Sequence, residues 1–264
     1  MKITPWLLAS RPKTLPAALS PVLIGTALAF GDGKGHWPSA ILAAVAALLL
    51  QIGANYANDY YDFISGADDE KRLGPTRATS AGMVTPGAMK RAFILIFALA
   101  TIAGAYLVIR GGWPVALVGV LAIASAILYT GGPFPLGYNG LGDLFVFVFF
   151  GIVGVTGTYY VQTLQINQHS IMAGIAPGLF SVAILTVNNL RDINNDRRSG
   201  KRTLVVLLGE KFGRLQYIFS IATAGMAPII LIVLSDGHGW AAIASFALLL
   251  TIPVIRTIYR EEPG

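Results

Sequence analysis

The residues best suited to chemistry lie in a polar stretch, NYANDYYDFISGADDEKRLGPTR, at positions 55–77 of an otherwise apolar chain. Asn58 and Asp62 are four residues apart, so on a helix their side chains share one face, with Asn55 one further turn back. Two carboxylates 4 Å apart repel by roughly 1 kcal/mol in water and about 4 kcal/mol near a protein surface. Because Asp59 and further acids add negative charge here, the stretch predicts a bound cation.

A second polar stretch, residues 187–214, repeats this spacing. Asn188, Asp192 and Asp196 follow one another at intervals of four, and the first two lie 130 residues after their counterparts in the first stretch. We therefore expect a second stripe of oxygen-bearing side chains along one helix face over two turns. An internal duplication is one explanation, and the chemical parallel holds without it.

Basic residues follow each acidic stripe. They are Arg72 and Arg77 in the first stretch, and Lys201 and Arg202 in the second. Mg²⁺ binds a few carboxylate oxygens and takes further ligands from substrate phosphates, while Arg and Lys neutralise phosphate oxygens directly. The pattern predicts a diphosphate bridged by Mg²⁺. Solvated helix ends are the alternative, but Asn side chains that continue into apolar spans cost free energy and usually mark function.

The elements that must position these residues are membrane-spanning helices. Of 264 residues, 55% are hydrophobic and only 12% are charged, against about 25% charged in an ordinary soluble domain. Each apolar segment is long enough, or nearly so, to cross about 30 Å of hydrocarbon as a helix. The eight segments are residues 15–31, 37–57, 88–109, 113–130, 141–161, 170–190, 215–234 and 239–257. The predicted fold is an all-α, multi-span transmembrane bundle forming one domain over residues 1–264.

Lys and Arg are distributed unequally between alternate connections. Of the 19 basic residues, 17 lie at the N-terminus, after even-numbered spans or at the chain end, and only Lys34 and Arg110 lie on the other side. This asymmetry predicts a cytoplasmic N-terminus and places both acidic stretches at the cytoplasmic face. A signal peptide ending at Ala27-Leu28-Ala29 is a weaker interpretation, because seven further spans follow.

The same composition narrows the classes of partner and site. The net charge of +6 is sorted by membrane side, so we expect a lipid bilayer and no nucleic acid as partner. The absence of cysteine excludes disulfides, thiolate catalysis and Cys-based zinc or iron–sulfur sites. The three histidines lie in separate loops, where solvated residues are expected.

The connection between the fourth and fifth spans is rich in glycine and aromatic residues. Residues 129–143, YTGGPFPLGYNGLGD, contain Tyr129, Phe134 and Tyr138 but no Lys or Arg. An interfacial aromatic belt is one interpretation. The other is a loop facing the substrate, whose rings stabilise the carbocation left when diphosphate departs from an allylic carbon.

These motifs resemble those of the UbiA superfamily of intramembrane aromatic prenyltransferases, and most closely its naphthoate-prenylating branch. The matching segments are RPKTLPAALSPVLIGTALA from Arg11, NDYYDFISGADDEKRLGPTRA from Asn58, YTGGPFPLGYNGLGD from Tyr129, and NNLRDINNDRRSGKRTL from Asn188. The resemblance implies nine transmembrane helices, one more than the segments counted above.

The activity implied by this resemblance is transfer of a polyprenyl group from polyprenyl diphosphate to 1,4-dihydroxy-2-naphthoate. CO₂ and diphosphate would be lost to give demethylmenaquinone, at the cytoplasmic face of a bacterial-type inner membrane. Another aromatic acceptor, 4-hydroxybenzoate or homogentisate, is the nearest alternative. A cation-coupled secondary transporter that uses the repeated acids is a more distant one.

The resemblance also implies roles for individual residues. Mg²⁺ ligands would be Asn58, Asp62, Asp68, Asn188, Asp192 and Asp196, with Asp62 and Asp192 essential to catalysis. Contacts to diphosphate would come from Arg77, Lys201 and Arg202, and the acceptor would be surrounded by Arg11, Asn55 and Tyr129. Further substrate-binding candidates are Arg72, Tyr138, Asn189 and Arg191. Gly66 stands where the wider superfamily has an acid, and Asp68, with Asp69 as a rival, would replace it.

Overall fold

The computed structural model describes residues 4–67, 74–233 and 239–260, and every regular element in these ranges is helical. The predicted all-α architecture is therefore confirmed. Three predicted site residues, Asp68, Asp69 and Arg72, lie outside the described ranges.

The described ranges contain thirteen α-helices. In chain order they are α1 Thr4–Ser10, α2 Leu15–Gly31, α3 Trp37–Ile64, α4 Pro86–Gly111, α5 Trp113–Leu128, α6 Gly142–Phe147, α7 Gly154–Thr163, α8 Gln168–Ala173, α9 Ile175–Arg191, α10 Ile193–Arg198, α11 Leu204–Leu208, α12 Glu210–Val233 and α13 Ala247–Arg260. Short 3₁₀ segments lie at Pro12–Thr14, Leu136–Tyr138 and Gly239–Phe246, and a π-helical segment lies at Val148–Val153.

Seven helical stretches are long and apolar enough to cross a membrane. They are Thr4–Gly31, Trp37–Ile64, Pro86–Gly111, Gly142–Thr163, Gln168–Arg191, Glu210–Val233 and Ala241–Arg260. The remaining apolar helix, α5, has 16 residues, about 24 Å at 1.5 Å per residue. These stretches correspond to the eight predicted segments, and the chain is an integral membrane protein.

The bundle core forms where α3 packs against α4. Tyr56 and Ala57 of α3 are buried with Phe93 and Phe97 of α4. Gly53 allows this approach, because a Cβ there would lie 2.6 Å from the ring of Phe97. Helix α3 is about 42 Å long at 28 residues. It therefore carries the first polar stretch at one end of the bundle and begins at the other.

The end of the bundle remote from the polar stretches is closed by a separate hydrogen-bond network. Tyr159 of α7 donates from its hydroxyl to Asp32 Oδ2 at 2.6 Å, and Asn167 donates to the Tyr159 oxygen at 3.0 Å. Arg110 donates to the carbonyl oxygens of Val161 and Gln162, at 2.8 and 2.9 Å, where α7 ends. The Arg110 guanidinium therefore satisfies carbonyl oxygens at the end of α7.

Candidate active site

Asp62, in the last turn of α3, is the centre of the polar cluster. Its carboxylate accepts a hydrogen bond from Arg77 Nη2 at 2.7 Å on Oδ2. On Oδ1 it accepts the Tyr138 hydroxyl at 2.7 Å and Lys201 Nζ at 3.2 Å. The carboxylate is buried. Four of the residues predicted for the site thus come together from three separate segments of the chain.

Lys201 and Tyr138 reach Asp62 as a connected pair. The main-chain N–H of Arg202 donates to the Tyr138 carbonyl oxygen at 2.8 Å, which joins the glycine-rich connection to the second polar stretch. Lys201 Nζ lies 4.6 Å from the centroid of the Tyr138 ring. The ammonium is therefore balanced by a carboxylate and by an aromatic face. The Arg202 side chain is exposed, so Arg202 contributes its main chain to this junction.

Asp59 holds the backbone next to Arg77. The sequence had predicted only that Asp59 adds negative charge. Asp59, one turn earlier on α3, accepts the N–H groups of Ala78 on Oδ2 and Thr79 on Oδ1, both at 3.0 Å. Its carboxylate is buried, and both of its oxygens accept main-chain N–H groups. The three-residue spacing between Asp59 and Asp62, which places both on one helix face, is the signal that could have identified it.

The two asparagines of the first stretch hold neighbouring segments against α3. Asn58 Oδ1 accepts the hydroxyl of Thr130 at 2.9 Å. Asn55 Nδ2 donates to the carbonyl oxygen of Ser10 at 2.9 Å and to Thr14 Oγ1 at 3.3 Å. The turn between these two residues contains Arg11, whose φ of 50° lies in the left-handed region. Asn55 therefore fixes the turn that carries Arg11.

Gly66 ends helix α3 for a backbone reason. Its φ is +70°, and the following N–H, of Ala67, returns to the carbonyl oxygen of Asp62 at 3.0 Å. Glycine is the usual residue at such a left-handed helix end. The chain therefore turns away from the helix at this glycine.

The second acidic stripe is not carried by one continuous helix, and the expectation of a single helix was wrong here. Helix α9 ends at Arg191 and α10 begins at Ile193, with Asp192 between them at φ −95° and ψ 8°. Main-chain hydrogen bonds still join Asp192 to Asn188 at 2.9 Å and Asp196 to Asp192 at 2.8 Å. The main-chain hydrogen bonds between residues four apart therefore continue, although the helix is interrupted at Asp192.

Around this interruption the charges pair locally. Arg191 donates to both carboxylate oxygens of Asp192, at 2.9 and 2.7 Å. Asp196 and Asn189 are buried, whereas Asn188 is partly buried. A second link to the first stretch runs from Asn195 Nδ2 to the carbonyl oxygen of Ala67 at 3.1 Å.

Tyr129 lies where the two acidic stretches meet. Burial raises the pKa of its phenol, and the carboxylates of Asp143, Asp62 and Asp196 raise it further, so the hydroxyl is neutral at physiological pH. The glycines of the connection make room for this side chain, because a Cβ at Gly137 would lie 2.8 Å from the ring and a Cβ at Gly142 would lie 2.8 Å from the hydroxyl oxygen.

Comparison with known proteins identifies the family. The sequence pattern of the UbiA prenyltransferase family matches residues 18–263. The chain belongs to this family. The expected resemblance is thereby confirmed over nearly its whole length.

Two curated UbiA relatives bear the same name. The 1,4-dihydroxy-2-naphthoate octaprenyltransferase of Mycobacterium tuberculosis is 43% identical, over 86% of this chain and 78% of its own. The 1,4-dihydroxy-2-naphthoate octaprenyltransferase of Escherichia coli K12 is 40% identical, over 97% of this chain and 85% of its own.

The fold is also that of solved UbiA structures. A UbiA homologue from Archaeoglobus fulgidus bound to GPP and Mg²⁺ superimposes with a TM-score of 0.72 at 13% identity, covering 98% of this chain and 89% of that one. At this identity the likeness shows a shared fold.

In this UbiA protein the oxygen donors of the two stretches are spread over several elements. No group of three or more Asp, Glu or His side chains in the described ranges is close enough to hold a metal by itself. The donor types, carboxylate and amide oxygens, are those that Mg²⁺ prefers, and Mg²⁺ completes its shell with waters and substrate phosphate. The residues present therefore suit an ion that arrives together with a diphosphate.

Proposed function

We propose that this chain transfers a polyprenyl group from polyprenyl diphosphate to 1,4-dihydroxy-2-naphthoate. The names of the relatives at 43% and 40% identity support this acceptor. In the reaction, the bond between the allylic carbon and the diphosphate oxygen breaks, and a carbon–carbon bond to the naphthalene ring forms. Diphosphate and CO₂ leave. Because no oxidant takes part, the product is demethylmenaquinone in its quinol form.

The observation that carries the proposal is the junction at Asp62. One buried carboxylate there meets two cations, Arg77 at 2.7 Å and Lys201 at 3.2 Å, from different polar stretches. Buried charges of this kind are costly unless paired, and two cations on one acid suit a further anionic ligand. Arg77 and Lys201 would bind diphosphate oxygens and neutralise the charge that develops as diphosphate leaves.

Mg²⁺ is the cofactor we propose for this site. Its ligands would be Asn58, Asp62, Asn188, Asp192 and Asp196, together with Asp68. Bound there, the ion would withdraw electron density from the diphosphate and make it a better leaving group. Arg191 and Asn189 adjoin the second set of ligands, and Arg72 and Arg202 remain proposed contacts of the diphosphate.

The remaining chemistry needs no protein nucleophile. The apolar helices would hold the hydrocarbon chain, and the ring of Tyr138, which lies beside Lys201, would face the allylic carbon. Arg11, Asn55 and Tyr129 would border the acceptor. An electron-rich ring carbon of the acceptor attacks the allylic carbon. Water must be kept away from the allylic carbon, because it would compete as a nucleophile.

A product assay tests the reaction and its cofactor. Purified protein in lipid nanodiscs is incubated with one polyprenyl diphosphate, Mg²⁺ and 1,4-dihydroxy-2-naphthoate, and the product mass is measured. Parallel reactions use 4-hydroxybenzoate and homogentisate as acceptors. We expect decarboxylated naphthoate product and its loss in excess chelator. Preferential prenylation of another acceptor would overturn the proposal that naphthoate is the acceptor. Turnover undiminished by chelator would overturn the proposed Mg²⁺ requirement.

We also propose that the site faces the cytoplasm of a bacterial-type inner membrane, on the basis of the basic residues at that end. Because the chain has no cysteine, a single introduced cysteine can be labelled with no background from native cysteines. Ser80 is exposed beside Arg77, and Gln168 is exposed at the opposite end of the bundle. In intact spheroplasts, a membrane-impermeant maleimide should label Gln168→Cys and spare Ser80→Cys. The reverse pattern would place the site outside.

A further inference from the structure

A carboxylate that the reaction above does not use lies at the same end of the bundle. Asp143, in the first turn of α6, accepts a hydrogen bond on Oδ1 from Gln216 Nε2 of α12 at 2.6 Å. Its side chain is partly buried. The hydrogen bond joins two membrane-spanning stretches and orients the carboxylate, so Gln216 acts as a positioning residue.

The backbone next to this carboxylate approaches the phenol of Tyr129 closely. A Cβ at Gly142, the residue before Asp143, would lie 2.8 Å from the Tyr129 hydroxyl oxygen. Among the carboxylates that raise the pKa of this phenol, Asp143 has the largest effect, ahead of Asp62 and Asp196. In the described part of the chain, the Tyr129 hydroxyl has no hydrogen-bond partner of its own.

The pair differs from the Asp62 junction in the charge it offers to a ligand. At Asp62 the carboxylate is surrounded by Arg77, Lys201 and the Tyr138 hydroxyl. At Asp143 the contact is with the neutral amide of Gln216, which leaves the site negative. A diphosphate would be repelled there, whereas a hydroxyl group could donate a hydrogen bond to the carboxylate.

We propose that Asp143, oriented by Gln216, binds the aromatic acceptor by accepting a hydrogen bond from a ring hydroxyl, while Tyr129 donates its own to the same molecule. The proposal rests on the proposed function, because 1,4-dihydroxy-2-naphthoate carries both hydroxyl donors and a carboxylate acceptor. Hydrogen bonding to the carboxylate also increases electron density on the ring that attacks the allylic carbon. Asp143 would therefore bind a hydroxyl donor of the acceptor, whereas Lys201 would bind the diphosphate anion.

A purely structural role for Asp143 makes a different prediction. An acid in the first turn of a helix is favourable in itself, and the contact with Gln216 holds α6 to α12. Asp143→Asn keeps the size of the side chain and an oxygen that accepts from Gln216. It removes the charge that binds the hydroxyl. Asp32→Asn, the same substitution in the network at the opposite end of the bundle, is the matched control.

Equilibrium binding separates the two roles without relying on turnover. The intrinsic fluorescence of 1,4-dihydroxy-2-naphthoate is titrated with wild type, Asp143→Asn and Asp32→Asn in nanodiscs. We expect Kd for the acceptor to rise at least tenfold in Asp143→Asn and to stay within twofold of wild type in Asp32→Asn. Equal Kd values for wild type and Asp143→Asn would overturn the proposal.

Kinetics with modified acceptors give the decisive readout. We expect kcat/KM for the acceptor to fall at least tenfold in Asp143→Asn, with KM for polyprenyl diphosphate within twofold of wild type. Methylating the hydroxyl that Asp143 binds should slow wild type at least tenfold and Asp143→Asn much less. If methylation of either hydroxyl slows wild type and Asp143→Asn by the same factor, the assignment is overturned. If wild type prenylates only 4-hydroxybenzoate, the naphthoate proposal fails, and the same comparison on that phenol still tests Asp143.

Discussion

The two polar stretches share the spacing Asn-x-x-x-Asp but place their aspartates in different environments. Asp62 lies on the unbroken helix α3, its side chain is 2% exposed, and its cationic partners are Arg77 from a later part of the same stretch and Lys201 from the second stretch. Asp192 lies between two helices, its side chain is 12% exposed, and it pairs with the adjacent Arg191. Equal spacing in sequence therefore does not give equal electrostatic roles.

The difference arises from how each basic residue returns to the site. In the first stretch, Gly66 ends α3, and Asp59 binds the two N–H groups that follow Arg77. In the second, α10 ends and Gly200, with φ of +75°, turns the chain so that Lys201 reaches Asp62. Arg77 and Lys201 therefore both contact Asp62. We infer that Asp62 is the fixed point of the site and that Asp192 lies on its more open side.

The largest effect is expected for Asp62→Asn. The substitution leaves Arg77 and Lys201 facing a neutral amide, so turnover should fall by on the order of 10³-fold. Breaking a buried ion pair also destabilises a protein by about 3–5 kcal/mol, so the melting temperature should fall. Product formation and thermal unfolding are measured on the same nanodisc sample, with Asp32→Asn as control. Turnover within tenfold of wild type would remove Asp62 from the centre of the site.

Asp192→Asn should lower turnover by about 10²-fold while changing stability far less than Asp62→Asn does. Asp192 pairs with a sequence neighbour, Arg191, whose side chain is 33% exposed, and ion pairs with exposed partners contribute about 0–1 kcal/mol. The measurement is the ratio of activity loss to the shift in melting temperature for the two variants. Equal shifts would contradict the contrast between a fixed and an open aspartate.

A smaller effect is expected for Asp59→Asn, which tests how Arg77 is positioned. The N–H groups of Ala78 and Thr79 bind different oxygens of Asp59, and the substitution replaces one of these oxygens by an amino group. One N–H group is therefore left unpaired, which costs about 1–3 kcal/mol. Hydrogen exchange in the peptide containing these residues should accelerate, and kcat/KM for polyprenyl diphosphate should fall about tenfold. Ser80→Ala, in the same loop, should change neither. Faster exchange with unchanged kcat/KM would show that Arg77 does not depend on this anchor.

Hydropathy and spacing predicted the helical bundle and the residues that meet at Asp62. Apolar segments of this length must satisfy their backbone hydrogen bonds internally, which leaves helices as the solution. The distribution of charge along the sequence predicted that Arg77 and Lys201 lie at the same membrane face as the acidic stripes. These features depend on local composition, and local composition is what a sequence displays.

Features that depend on the path of the chain were not predictable. The interruption at Asp192 has no Gly or Pro to announce it, and its main-chain hydrogen bonds continue through it. The partner of Asp143 lies 73 residues later, on a helix whose sequence reads as ordinary and apolar. Gly137 and Gly142 read as turn residues, although they also clear space for the ring of Tyr129.

The smallest effect separates a hydrogen bond and a ring contact that Tyr138 makes at the junction. Tyr138→Phe keeps the ring 4.6 Å from Lys201 but loses the 2.7 Å hydrogen bond to Asp62. A hydrogen bond to a charged group contributes about 1.5–3 kcal/mol, but the two cations still hold Asp62, so we expect turnover to fall only about three- to tenfold. Tyr138→Leu also removes the cation–π contact, worth about 0.5–1 kcal/mol, and should cost about threefold more. Turnover of Tyr138→Phe equal to wild type, with a loss confined to Tyr138→Leu, would assign the role of Tyr138 to its ring alone. Equal losses in both variants would assign it to the hydroxyl.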